Sequence, residues 1–180
     1  DSGIPTVTPT ATPAVTPSIT VSPTPTATPT PSATPTPAPV VNLIPNPSLE
    51  TVNPANINRP LYWQSQKYGS NTTTFSYLTT GRTGGRSLQV RTTRYTNGDA
   101  KFFYTAQPVK PYDVYIFSVY YKSDIYTEVV AEIALTNGDV RYEYLGGPVP
   151  SNSWNLFTAK AIMPALAQSV TIYQAVATVG

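Results

Sequence analysis

Val129-Val130-Ala131-Glu132-Ile133-Ala134-Leu135-Thr136-Asn137-Gly138-Asp139-Val140-Arg141-Tyr142-Glu143-Tyr144-Leu145 is the stretch that decides the fold. Two runs of β-branched, aliphatic and aromatic residues flank Asn137-Gly138, the dipeptide whose tolerance of positive φ suits a tight hairpin turn. The pattern predicts antiparallel strands over 129–135 and 140–145. With a two-residue turn, Thr136 stands opposite Asp139, Ile133 opposite Tyr142 and Glu132 opposite Glu143. Tyr142 and Tyr144 are two residues apart and so share one face of their strand.

Outward from this hairpin the same period of two recurs. Residues 72–79 alternate around Phe75 and Tyr77, and Leu88-Gln89-Val90-Arg91 alternates on a smaller scale. Between Tyr112 and Tyr121 both faces are rich in apolar residues, with Tyr115, Phe117, Val119 and Tyr121 set against Tyr112, Val114, Ile116 and Tyr120. Apolar residues on both faces predict a central strand. Trp154 to Ile162 and Val170 to Val176 complete the set, and turn residues punctuate at Asn97-Gly98-Asp99, Lys110-Pro111 and Gly146-Gly147-Pro148. The expected fold class is all-β, a jelly-roll β-sandwich over residues 41–180.

Residues 1–40 are of another kind. They hold 11 of the 20 prolines and 12 threonines, with no aromatic residue and one charge, whereas all 20 aromatics fall after them. Proline at this density removes ladder donors and fixes φ, which predicts an extended, polyproline-II-like tail. Thr-Pro-Thr-Ala-Thr-Pro occurs at Thr8 to Pro13 and again at Thr24 to Pro29. Such tails serve as linkers and carry O-glycans, so Thr8, Thr10, Thr24 and Thr26 are candidate glycan positions. Asn71-Thr72-Thr73 is an N-glycosylation sequon. Two short segments break the tail's pattern: Ser18-Ile19-Thr20-Val21-Ser22, and Ile4 with Val7. Both alternate like strands that could add to another subunit's sheet.

Composition excludes several chemistries. Without Cys or His there is no thiol or imidazole nucleophile and no thiolate or imidazole metal site, so a metal would need oxygen ligands. A net charge of +2, from 11 Lys and Arg against 9 Asp and Glu, makes no basic stripe for nucleic acid. No apolar run is long enough to span a bilayer. The chain begins at Asp1 rather than Met, as expected of a mature or trimmed product. Glu132 opposite Glu143 is the one carboxylate pair that could be weighed for glycoside hydrolysis, and a solvated strand face accounts for it as well. No catalytic residue is assigned.

Several pieces, in order, resemble the jelly-roll carbohydrate-binding modules grouped around families 4, 9 and 22. They are Asn42-Leu43-Ile44-Pro45-Asn46-Pro47-Ser48-Leu49-Glu50, then Trp63, then Gly85-Arg86-Ser87-Leu88-Gln89-Val90, then Gln107 to Ser118 and the Trp154 strand. The resemblance implies that Glu50 stands where such modules hold a structural calcium. The Asp that would share the ion belongs to a closing strand that falls beyond Gly180. It also implies sugar rings stacked on aromatic faces, with polar groups reading the hydroxyls. Candidates are Tyr142, Tyr144, Tyr62 and Tyr95, with Arg141, Gln64 or Gln107 as polar partners. Trp63 and Trp154 stand where the family buries its tryptophans, and core packing competes with sugar binding for every aromatic here.

Two functions follow. In the first, the chain is a non-catalytic extracellular structural subunit, and Ile4, Val7, Ile19 and Val21 of its tail dock on the open sheet edge of the next copy to build a head-to-tail homopolymer. In the second, it is a secreted carbohydrate-binding module tethered by its tail in a polysaccharide-active protein. The lack of a closing strand favours the first.

Overall fold

The computed structural model describes residues 41–180, all of them in strands or irregular connections. The strands are β1 (Val52–Asn53), β2 (Asn56–Pro60), β3 (Trp63–Tyr68), β4 (Asn71–Leu78), β5 (Ser87–Tyr95), β6 (Asp99–Tyr104), β7 (Gln107–Pro108), β8 (Val114–Ser123), β9 (Glu128–Leu135), β10 (Val140–Gly146), β11 (Ser151–Ile162) and β12 (Ala167–Val176). The tail positions Ile4, Val7, Thr8, Thr10, Ile19, Val21, Thr24 and Thr26 lie outside the described residues.

The principal sheet runs β10-β9-β12-β6-β3, with β7 also paired to β12. β12 is its centre, and Val170, Thr171, Ile172 and Tyr173 are buried in succession there, as a strand covered on both faces requires. The inner face supplies Ala131, Ile133, Val170 and Ile172, which pack against Phe117 of β8, Ala161 of β11 and Met163. The larger of these side chains, from Val170 to Phe117, each contribute about 1.5–3 kcal/mol by leaving water, and the alanines less. Trp63 packs edge-on against Tyr104 with ring centroids 5.5 Å apart, and its indole N–H donates to the Pro45 carbonyl at 3.1 Å. The Tyr104 hydroxyl accepts the Ile172 N–H at 3.1 Å, tying β6 to β12. β4 with β5, and β8 with β11, form two antiparallel ribbons.

The hairpin forms where expected but with a different turn. Leu135 N–H donates to Asp139 O at 2.9 Å, and Gly138 N–H donates to Leu135 O at 3.0 Å. The loop is therefore the three residues Thr136-Asn137-Gly138, with Gly138 at φ 90°, the geometry of a type I turn closed by a left-handed glycine. Register moves by one residue: Tyr142 stands opposite Glu132, Arg141 opposite Ile133 and Glu143 opposite Ala131. A one-residue slip exchanges faces. Glu132 and Glu143 thus point to opposite sides of the sheet, which removes the paired carboxylates expected from a two-residue turn.

β8 departs from the central-strand expectation. Tyr115, Phe117, Val119 and Tyr121 face inward, but Val114, Ile116 and Tyr120 are exposed, and among the described residues its strand partner is β11. Tyr120 instead lies under the Arg82 guanidinium, 3.6 Å from the ring centroid. Apolar residues on both faces did not mean cover on both faces.

Candidate functional site

The outer face of the principal sheet carries a broad depression. Register fixes who shares it. Tyr142 of β10 stands beside Glu132 of β9 and Tyr144 beside Val130, while Val130 and Glu132 stand beside Tyr173 and Thr171 of β12. At the far side Gln66 and Tyr68 of β3 pair with Lys101 and Asp99 of β6. Together Gln66, Tyr68, Asp99, Lys101, Val130, Glu132, Tyr142 and Tyr173 line a cavity of about 520 Å³. Tyr68 (73% exposed) and Tyr142 (63%) stand at its two sides, whereas Tyr173 (4%) and Lys101 (6%) form the floor. From β3 to β10 spans four inter-strand steps of about 4.8 Å each.

The floor is held by charge. Lys101 Nζ lies 2.8 Å from Asp99 Oδ1 and 4.6 Å from the centroid of the Tyr173 ring. An ammonium this buried needs both a carboxylate and the π-face beneath it. Burial pushes the Tyr173 hydroxyl well above the usual phenol range, with the Glu132, Asp99 and Tyr142 oxygens adding to it. Tyr142 is raised as well, by burial first and then by Glu132 and Asp99. Glu132 has neither an ion pair nor a side-chain hydrogen bond to a described residue, which leaves its oxygens available to a ligand's hydroxyls.

Of the residues singled out from sequence, Tyr142 lies in this cavity and Tyr144 beside it on the same strand face. Gln64 shares the face of Gln66 by alternation along β3. The others lie elsewhere. Arg141 stands opposite Ile133, on the other face of β10, and is 3.7 Å from Glu143. Tyr62 is an exposed turn residue at φ 70°, its carbonyl accepting Thr105 N–H at 2.9 Å. The Tyr95 hydroxyl donates to Gly98 O at 3.1 Å, and Gln107 Nε2 donates to Thr105 O at 2.6 Å. Glu50 Oε1 accepts the Arg86 N–H at 3.2 Å, and no group of three or more acidic side chains suited to a metal exists among the described residues. Asn71 Nδ2, the atom an N-glycan would occupy, donates to Tyr68 O at 2.9 Å.

Sequence reading missed Tyr68, Gln66, Asp99, Lys101 and Tyr173. Gln64-Ser65-Gln66-Lys67-Tyr68 does alternate, with Gln64, Gln66 and Tyr68 on one face, and that was a readable signal. Tyr173 sits in a run apolar on both faces, which gives no clue to side.

No family model and no curated protein matches the chain. Solved structures do. The enzymatically active domain of tailspike protein 4 from bacteriophage CBA120 matches at a TM-score of 0.54 and 14% identity, over 67% of this chain and 18% of that one. The CBM22-1-GH10 modules of Clostridium thermocellum xylanase 10B, solved with xylohexaose, match at 0.47 and 15%, over 66% of this chain and 24% of that one. The C-terminal family 22 carbohydrate-binding module of the same xylanase matches at 0.44 and 20%, over 66% and 80%. The chain thus spans about a fifth of the tailspike chain and a quarter of the two-module xylanase chain. The fold is an all-β sandwich, and at these identities the likeness concerns fold alone.

Proposed function

We propose that the chain is a non-catalytic polysaccharide-binding module of a secreted protein, with a glycan lying in the cavity between Tyr68 and Tyr142. The observation that carries this reading is the pairing of two largely exposed tyrosines with a polar floor of Gln66, Asp99, Lys101 and Glu132. Flat apolar rings suit the faces of sugars, and fixed polar groups suit their hydroxyls. Glycoside hydrolysis uses two carboxyl groups that work together. Here Asp99 is engaged by Lys101, which leaves Glu132 as the unengaged carboxylate of the cavity. The Pro- and Thr-rich residues 1–40 suit an extracellular tether. A filament subunit would rest on tail contacts outside the described residues, and the described residues favour the binding module.

Affinity electrophoresis of the full 180-residue chain in gels containing neutral soluble polysaccharides tests this. Retardation in at least one gel, lost in Tyr142→Ala, is the expected result. Migration unchanged by every polysaccharide, or retardation untouched in both Tyr142→Ala and Tyr68→Ala, would overturn it.

A further inference from the structure

The charges on the cavity face do not balance, and this bears on which glycans fit. Strands β3, β6, β9, β10 and β12 carry three cations, Lys67, Lys101 and Arg141. Lys67 alternates away from Gln66 and Tyr68, and its Nζ donates to Asn71 O at 3.0 Å. Arg141 alternates away from Tyr142 and lies by Glu143. Lys101 faces the cavity, but it is buried, held by Asp99 and set over Tyr173. On the same face the register places Glu128 with Val130 and Glu132, opposite Ala175, Tyr173 and Thr171 of β12. Three carboxylates, Asp99, Glu128 and Glu132, therefore share the face with one ammonium.

From this imbalance we infer that the cavity is selective for uncharged glycans and rejects uronate-bearing or otherwise polyanionic ones, with Glu132 as the specificity-determining residue. The inference rests on the binding reading above and adds the substrate class. A sugar carboxylate placed between Tyr142 and Tyr68 meets the Glu132 carboxylate. It finds no cation there able to pair with it, because the one ammonium within reach is already neutralised and out of water. Like charges a few ångströms apart in a partly dewatered cleft repel strongly. A neutral sugar hydroxyl donates to the same Glu132 oxygens and gains a charge-assisted hydrogen bond. One carboxylate thus favours one class of glycan and excludes the other.

The test uses matched polymers that differ in charge: hydroxyethyl- against carboxymethyl-cellulose, arabinoxylan against glucuronoxylan, and fully methyl-esterified against de-esterified homogalacturonan. Affinity electrophoresis of the full chain is expected to show that, for any backbone retained, the neutral form is held about tenfold or more tightly at low salt. Glu132→Gln keeps the shape and most of the hydrogen bonding while removing the charge. It should narrow that ratio to about threefold or less, because the anionic form loses a repulsion while the neutral form loses the charge on its hydrogen-bond acceptor. Raising sodium chloride to about 0.5 M should narrow the wild-type ratio in the same direction, a readout that needs no variant. Equal retention of neutral and anionic partners by the wild type, or a ratio indifferent to both Glu132→Gln and salt, would overturn the charge selection while leaving sugar binding in place. Retention of neither form of any polymer would instead overturn the binding reading, and the selectivity with it.

Discussion

Lys101 and Asp99 lie two residues apart on β6, and their side chains meet at 2.8 Å on the same face of the strand. The pair is unequal in exposure, with the lysine side chain at 7% and the aspartate at 30%. Removing the lysine leaves a carboxylate without its counter-charge and a gap over the Tyr173 ring. Lys101→Ala should therefore lower unfolding free energy by about 3 kcal/mol. Lys101→Met keeps the aliphatic stem over the ring and should lose less. Urea denaturation of both variants reads the difference, and a loss below about 1 kcal/mol for the alanine variant would mean that water takes over the role of the ammonium.

Tyr142 tests the cavity without testing the fold. Its side chain is mostly exposed at the edge strand of the sheet, so Tyr142→Ala should change stability by no more than about 0.5 kcal/mol. Glycan affinity should fall about tenfold through loss of the stacked ring. Tyr142→Phe should stay within about threefold of the wild type, because the ring rather than the hydroxyl makes the contact. Tyr62→Ala is the matched control. It is also exposed but does not line the cavity, and titration calorimetry should find its affinity unchanged.

Gly138 sets the register that brings Tyr142 opposite Glu132. Its φ of 90° is one that residues with a Cβ rarely adopt, yet nothing lies within 4 Å of where that Cβ would be. The cost of Gly138→Ala is then purely conformational, about 1–2 kcal/mol. Urea denaturation should show that loss with the slope unchanged. A cost near zero would mean that the turn relaxes to another type, and cross-strand contacts between Tyr142 and Glu132 measured by NMR would then shift as well.

What could be read from sequence divides along physical lines. Alternation of side chains across a sheet is a local property, so the strands around Phe75, Phe117 and Tyr142 were legible from period two alone. Tyr142 and Tyr144 were legible as a pair for the same reason. Register was not, because Asn137-Gly138 serves both a two-residue turn and the three-residue loop found here, where Asn137 Oδ1 accepts the Asp139 N–H at 3.2 Å. The two turns differ by one residue in pairing, and that residue decides which face Glu132 shares. The far side of the cavity was also hidden. Tyr68 and Tyr142 are 74 residues apart in sequence, by subtraction of their numbers, and only the long-range pairing of β3, β6, β12, β9 and β10 joins them. The outer face of β8 misled because Val114, Ile116 and Tyr120 are apolar yet exposed.

Tyr104 makes the core sensitive to alkali. Burial pushes its hydroxyl up from 10.0 to about 12, against the lowering effect of the hydrogen bond from Ile172 N–H. A folded-state value above the unfolded one means that the unfolded chain loses this proton first as pH rises. The contribution is thus fully present below about pH 10 and is lost progressively as pH climbs through about 12. On that shift it is of the order of 3 kcal/mol. Tyr173 is raised as well and acts in the same direction, so unfolding free energy should fall steeply over this window. Tyr104→Phe should flatten part of the slope while costing about 1 kcal/mol at neutral pH, since the Ile172 N–H loses its acceptor. Urea unfolding followed by Trp fluorescence between pH 8 and about 11.5 measures both effects, and identical slopes for wild type and Tyr104→Phe would remove Tyr104 as the source.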